Sequence, residues 1–307
     1  MKNMNIMKNK MKFRIDLYAL KSEKANCNLK CSYCHLDYFN IHSGYDSGSR
    51  TDFTDLIKMC QKAIGSEDSS LKLHYSGRAD PLLVNKDVFL NETMKIREQF
   101  PSAEIVMTTN GIRLYEYSEV IKLSGIDKIN VSHHNYSGEL EAKVFSGIER
   151  VRNQGMEVIL NVVATDDVLK NIDHFIRLGD KYRISLKFFN LIADDKKYSS
   201  DLFSRFLNEL NRYCSDEYFE DKVKNRIETS SIAGNKISIK LTEKFSNRPD
   251  ECQKCPFLNK CDESCWDTIR LTPWYIKPCG VREDNVYFPG EQNLSILKSK
   301  LKSGGKI

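Results

Sequence analysis

Short apolar-rich stretches alternate with longer amphipathic ones through most of the chain. Residues 13–18, Phe-Arg-Ile-Asp-Leu-Tyr, switch between apolar and polar at the period of a half-covered strand. Further strands are expected at 71–75, 103–107, 127–132, 158–163 and 184–189. The fifth is apolar throughout except for Asn161, as suits a parallel strand covered on both faces. Helical periodicity falls between them, at 52–64 behind a Thr51 or Asp52 cap, then at 86–100, 116–123, 138–154, 168–178 and 199–213. Gly155 is the expected C-terminal stop of the fourth of these helices. Six β/α repeats of about 25–35 residues predict an α/β fold, a partial (β/α)6 TIM-type barrel wound with right-handed crossovers. Residues 1–11 are expected to be a flexible tail, 12–213 the barrel and 214–307 a second unit. The stretch 214–250 looks irregular apart from a strand at 236–241.

Composition narrows the class. A length of 307 residues with 40% hydrophobic content fits one large barrel plus a small appendage. No apolar run has the length of a membrane span, and the Lys/Asn/Met-rich start lacks a signal-peptide core. A cytoplasmic protein with no membrane partner is expected. The net charge of +5 is spread along the chain, too diffuse for a nucleic-acid surface but compatible with an anionic small molecule. Ten cysteines in such a chain point to metal or redox chemistry rather than disulfides. Three lie at 27–34 and five at 252–279, while Cys60 and Cys214 stand alone as ordinary thiols.

Cys27, Cys31 and Cys34 are spaced C-x3-C-x2-C directly after the first strand, at the end of a barrel strand where chemistry is expected. Three soft ligands are one short of a closed tetrahedral site. Around a four-iron cluster they would leave one iron open to a ligand. A zinc knuckle completed by His35, or three buried thiols, are the alternatives. With Tyr33 before the last thiol, the motif resembles the signature of radical S-adenosylmethionine (SAM) enzymes. The resemblance implies that these three cysteines hold a 4Fe-4S cluster whose open iron binds SAM. It also implies reductive cleavage of SAM to a 5′-deoxyadenosyl radical, which abstracts hydrogen from a substrate.

Later segments are similar to the same family in register. Gly77-Arg78-Ala79-Asp80-Pro81 follows the second strand, where the family carries Gly-Gly-Glu-Pro around the SAM amino group; a glycine still permits close approach and a carboxylate can still meet an ammonium. Thr108-Thr109-Asn110-Gly111 follows the third strand as a loop near SAM, and Ser132 ends the fourth. By this resemblance Tyr33, Gly77, Asp80, Pro81, Thr109, Asn110, Ser132 and Asn161 are the candidate cofactor contacts. His133 and His134 stand where relatives differ. Successive residues of a strand face opposite ways, so at most one enters the barrel, as a substrate contact or proton donor. A structural role suits them equally.

The second cysteine group reads Cys252-x2-Cys255-x5-Cys261-x3-Cys265-x13-Cys279. A zinc site uses similar spacing, but a second iron–sulfur cluster is the consistent choice beside a first. The segment 265–285 resembles the C-terminal domain of the GTP 3′,8-cyclases, where three cysteines hold an auxiliary 4Fe-4S cluster facing the substrate. Cys261, Cys265 and Cys279 match those positions. Cys252 and Cys255 are extra, and the C-x2-C-x5-C-x3-C run is also similar to the SPASM/twitch domains of peptide-modifying enzymes. The cyclase resemblance extends to Gly304-Gly305 near the C-terminus. It implies an electron donor of the flavodoxin or ferredoxin type and a monomer or homodimer.

A triphosphate needs several converging cations. Arg14, Lys72, Lys187 and Arg270 are placed for this, with Lys187 and Arg270 the candidate catalytic residues beside His133 and His134. Other basic positions typical of the cyclases are missing. The expected activity is therefore that of a cyclase relative acting on a small, nucleotide-like molecule. A maturase of a ribosomal peptide, or a non-enzymatic zinc or iron–sulfur interaction protein, are the rivals.

Overall fold

The computed structural model describes residues 11–20, 27–34, 49–66, 70–133, 136–191, 196–221, 226–240, 250–256, 258, 268–279, 282, 284–289 and 293–303. His134, Cys261, Cys265 and Gly304-Gly305 lie outside them. Among the described residues eleven strands form a single sheet: β1 (Met11–Ile15), β2 (Leu71–Tyr75), β3 (Glu104–Thr109), β4 (Lys128–Ser132), β5 (Glu157–Ala164), β6 (Ser185–Asn190), β7 (Cys214–Asp221), β8 (Arg226–Ser231), β9 (Lys236–Lys240), β10 (Thr268–Leu271) and β11 (Ile276–Lys277). Their order is β11-β10-β1-β2-β3-β4-β5-β6-β9-β8-β7, an open sheet with an edge at each end. β1 to β6 run parallel in chain order, as six β/α repeats require.

The helices are α1 (Phe53–Ile64), α2 (Lys86–Gln99), α3 (Leu114–Ser124), α4 (Gly138–Asn153), α5 (Asp166–Lys170), α6 (Ile172–Tyr182), α7 (Lys196–Leu210) and α8 (Leu294–Ser303), besides one turn at Asp250–Gln253. One sheet face is the core. Phe13, Ile15, Leu73, Tyr75, Ile105, Met107, Ile129, Val131, Leu160, Val162, Leu186 and Phe188 are almost wholly buried at alternate positions. They pack under the helices; Tyr75 meets Phe89 of α2 edge-on and Phe188 meets Phe206 of α7.

Three differences from the sequence expectation have physical reasons. Thr108 and Thr109, expected in a loop, extend β3 because their β-branched side chains suit the ladder they form with Asn130 and Val131. The expected helix at 168–178 is two: Asn171 leaves helical dihedrals, and the Thr165 hydroxyl caps α5 by accepting from Val168 N–H. The described residues between 214 and 240 are not irregular, since β7 and β8 join β9 as an antiparallel meander on the far edge. Residues after 213 thus contribute to both ends of the sheet, with β10 lying parallel beside β1.

Candidate active site

The loop after β1 carries Cys27, Cys31 and Cys34, all half-buried and none in a disulfide. Cys34 N–H donates to the Cys31 carbonyl at 3.0 Å, closing a tight turn between the last two thiols. Asn110, at the end of β3, fastens this loop. Its side-chain amide donates to Asn28 Oδ1 at 2.8 Å, its N–H donates to Asp80 Oδ2 at 2.5 Å, and its carbonyl accepts from the Tyr136 hydroxyl at 3.3 Å. Gly111 follows with φ 79°, and a Cβ there would meet Val131 and Val144 at 2.9 Å, so the Asn-Gly turn admits only glycine.

Asp80 is buried, and its oxygens also accept from Leu82 N–H at 2.9 Å and from the Thr109 hydroxyl. Burial pushes its carboxyl up, and the donors on Asn110, Leu82 and Thr109 oppose that. Asp80 thus ties the end of β2 to the end of β3, and caps the 3-10 turn opened by Pro81. Tyr33 and Tyr136 stay protonated: burial raises both hydroxyls, and negative charge on Cys31 raises them further. Tyr136 and Asn28 were not singled out from sequence. Asn28 lies inside the cysteine motif, but Tyr136 carries no sequence signal.

The surrounding side chains impose a steric reason for glycine at position 77. A Cβ there would lie 2.3 Å from Asp16 Cγ. Asp16 pairs with Arg78, Nε to Oδ2 at 2.8 Å, both side chains 8% exposed. Arg78 N–H donates to the same oxygen at 3.3 Å. This buried pair joins the C-terminal ends of β1 and β2 beside the cysteine loop.

The other sheet face is polar, and its register gathers the remaining candidates. One rung runs Ser132, Asn161, Lys187, Ser238 and Glu228 across β4, β5, β6, β9 and β8. Another places Arg270, Arg14 and His74 side by side on β10, β1 and β2. Some charges here are paired: Lys72 with Glu104 at 2.7 Å, Lys128 with Glu157 at 2.6 Å, Arg226 with Glu228 at 3.4 Å. Lys187 is not, among the described residues; its ammonium lies 5.0 Å from the Phe189 ring centroid. Burial, then Lys240, Arg226, Lys72 and Lys128, lower its pKa to about 7. His74, bonded to Thr108 Oγ1 at 2.7 Å, is lowered to about 3 by burial and by Arg14, Lys72 and Lys187, so it stays neutral. Such a shared field of cations favours an anion. His133 is not on this face. It sits among Tyr136, Phe145, His174 and Phe175 on the helix side, with Nε2 3.2 Å from Glu141 Oε2.

In the second cysteine group, Cys255 N–H donates to the Cys252 carbonyl at 3.1 Å. Arg282 N–H donates to Cys279 Sγ at 3.5 Å. The Arg282 guanidinium, held chiefly by Asp284, also feels Cys255 and Cys279, so both thiols lie near one arginine. The two groups fit soft-metal ligation: three half-buried thiols within one short segment, and a thiol receiving a backbone N–H as cluster sulfurs do.

The radical SAM superfamily profile matches residues 25–181. Among curated proteins, a probable GTP 3′,8-cyclase of Methanococcus aeolicus is 26% identical over 273 residues, 85% of this chain and 84% of the relative. The GTP 3′,8-cyclase of Clostridium botulinum (strain Langeland) is 27% identical over 289 residues, 88% and 82% of the two chains. Among solved structures, native anSMEcpe with bound AdoMet and Cp18Cys peptide shares the fold at TM-score 0.59 and 14% identity, covering 97% of this chain and 84% of that one. Streptococcus suis SuiB bound to S-adenosylmethionine does so at TM-score 0.56 and 14% identity, covering 94% and 63%. With a family profile spanning half its length, across the cysteine loop and β1's successors through α6, this chain belongs to the radical SAM superfamily.

Proposed function

We propose that this radical SAM enzyme acts on an anionic, nucleotide-like small molecule bound on the polar face of the sheet, between two clusters. The observation that carries the reading is the buried Lys187, without a carboxylate partner among the described residues, in a field shared with Lys240, Arg226, Lys72 and Lys128. The similarity to GTP 3′,8-cyclases over most of both chains supports the substrate class.

In this reading Cys27, Cys31 and Cys34 hold the SAM-binding cluster, and Cys252, Cys255, Cys261, Cys265 and Cys279 supply the ligands of the auxiliary one. When bound, the first cluster and SAM supply reductive cleavage and hydrogen abstraction. The protein's own part is positional. Asp80 and Thr109 fix Asn110, and Asn110 fixes the cysteine loop through Asn28. Gly77, Pro81 and Ser132 border the SAM pocket, with Tyr33 as a neutral hydroxyl against its wall. Lys187, flanked in register by Asn161 and Ser238, binds the substrate's negative charge, helped by Arg14 and Arg270 from the opposite rung. Asn161 Oδ1 and Ser238 Oγ are buried without hydrogen-bond partners among the described residues, and so offer polar groups to the same ligand.

The test is calorimetric binding of GTP to the anaerobically reconstituted chain, wild type and Lys187→Met. One charge-assisted bond lost corresponds to about tenfold to hundredfold weaker binding. Lys187 is charged below about 7 and loses its proton above it. Wild-type affinity therefore falls as pH rises past 7, and the variant's does not follow. The substitution removes a desolvated charge, so the fold is expected to survive. Equal binding of GTP and guanosine, or no difference between the two proteins, sinks the anion reading. A second reading, modification of a peptide, is favoured by the additional pair Cys252-x2-Cys255. It predicts SAM cleavage stimulated by a peptide and indifferent to Lys187.

A further inference from the structure

We propose that His133, Glu141 and His174 form a binding site for one zinc-type divalent cation, separate from both cysteine groups. The three come from the end of β4, the first turn of α4 and the first turn of α6. Both imidazoles aim Nε2 at one carboxylate oxygen, His133 at 3.2 Å and His174 at 2.7 Å from Glu141 Oε2. All three ligand atoms lie within 4.8 Å of one another.

A tetrahedral ion with ligand bonds of about 2.0–2.1 Å separates its donors by about 3.4 Å. From 3.2 and 2.7 Å, the two imidazole–carboxylate spacings reach that by opening about 0.2 and 0.7 Å. Two neutral nitrogens and one carboxylate form a borderline donor set that suits zinc. The surroundings favour a low coordination number: His133 is wholly buried, and Tyr136, Phe145 and Phe175 wall its ring. His174 is the solvent side, its side chain 37% exposed, which leaves an entry path and room for a water as fourth ligand.

The site has a structural consequence. It clamps the end of β4 to two helices, and the His133 ring lies 5.1 Å from that of Tyr136, which bonds the Asn110 carbonyl under the cysteine loop. The cation is thereby a positioning element for that loop, not a reactant.

The experiment uses the full chain with its clusters reconstituted, so that its cysteines are occupied. It is then stripped of loosely held metal with a chelator and titrated with zinc chloride. Expected are one zinc per chain, a rise in melting temperature on zinc addition, and an X-ray absorption first shell of nitrogen and oxygen only. His174→Ala, a change at a partly exposed position, loses all three while keeping its iron content. Glu141→Gln retains a hydrogen-bonding amide but loses the anionic ligand, and weakens zinc at least about tenfold. Equal zinc in wild type and His174→Ala, or sulfur in the zinc shell that persists in that variant, overturns the proposal and leaves a hydrogen-bonded triad. None of these readouts depends on SAM cleavage.

Discussion

Cys31→Ala is expected to leave the reconstituted protein about four irons short of wild type and unable to form 5′-deoxyadenosine from SAM and dithionite. In the proposed reading three thiolates leave one iron of the cluster for SAM, so removing one of them leaves a second iron without a protein ligand and the cluster is expected to be lost. The loop itself keeps its anchor, because Asn28 and Asn110 hold it independently of the thiols. Cys60→Ala is the control. Cys60 lies on the buried face of α1, and burial pushes its thiol well up, away from metal-ligating character. That variant should lose some stability to a small cavity and keep both iron and turnover. Iron and sulfide counting with product chromatography checks both. Turnover by Cys31→Ala, or iron loss in Cys60→Ala, would remove Cys27, Cys31 and Cys34 from the role assigned to them.

The largest expected loss of stability is at Gly77. Its φ is ordinary, so the effect of Gly77→Ala is one of space. The new methyl would lie 2.3 Å from Asp16 Cγ and Oδ1 and 2.7 Å from Asp16 Cβ. Those atoms belong to a side chain ion-paired in the interior, so Asp16 can move only by leaving Arg78. Breaking such a pair by displacing one partner costs about 3–5 kcal/mol. Urea denaturation measures it. The sharper check is a cycle with Asp16→Gly, which is itself costly because the guanidinium is stranded. In that background no side-chain atom of position 16, Cβ included, remains for the methyl to strike, and Gly77→Ala should add under about 1 kcal/mol. A full cost there would mean that the glycine serves something other than Asp16.

Much of this was legible in the sequence, for identifiable reasons. The apolar stretches of β1 to β6 were visible at strand spacing, and the resemblance to the cyclases singled out Arg14, Lys72, Lys187 and Arg270, whose shared face only the register of the sheet reveals. The cysteine spacings stand out because short-range repetition of a rare residue needs no tertiary knowledge. β7 and β8 were missed because strand periodicity is written there in Glu, Asp, Arg and Thr rather than in apolar residues. The Asp16–Arg78 pair spans 62 positions and the His174–Glu141 contact 33, distances over which sequence pattern says nothing. His133 faces the helices because β4's alternation, with Val131 buried, carries odd positions to the core side. That alternation was visible, and only its phase awaited the structure.

β1 lies between β2 and β10, and its pairing with β10 joins positions about 250 residues apart in the chain. During synthesis β1 can dock on β2 early, yet its other side stays an uncovered template until β10 has emerged. Such an edge invites pairing with other chains, and closing so long a connection is slow. The strand that leads into Cys27 therefore gains its final support only once β10 has been made. Metal delivery to that loop then naturally follows β10, and fragments ending before β10 should be prone to clump.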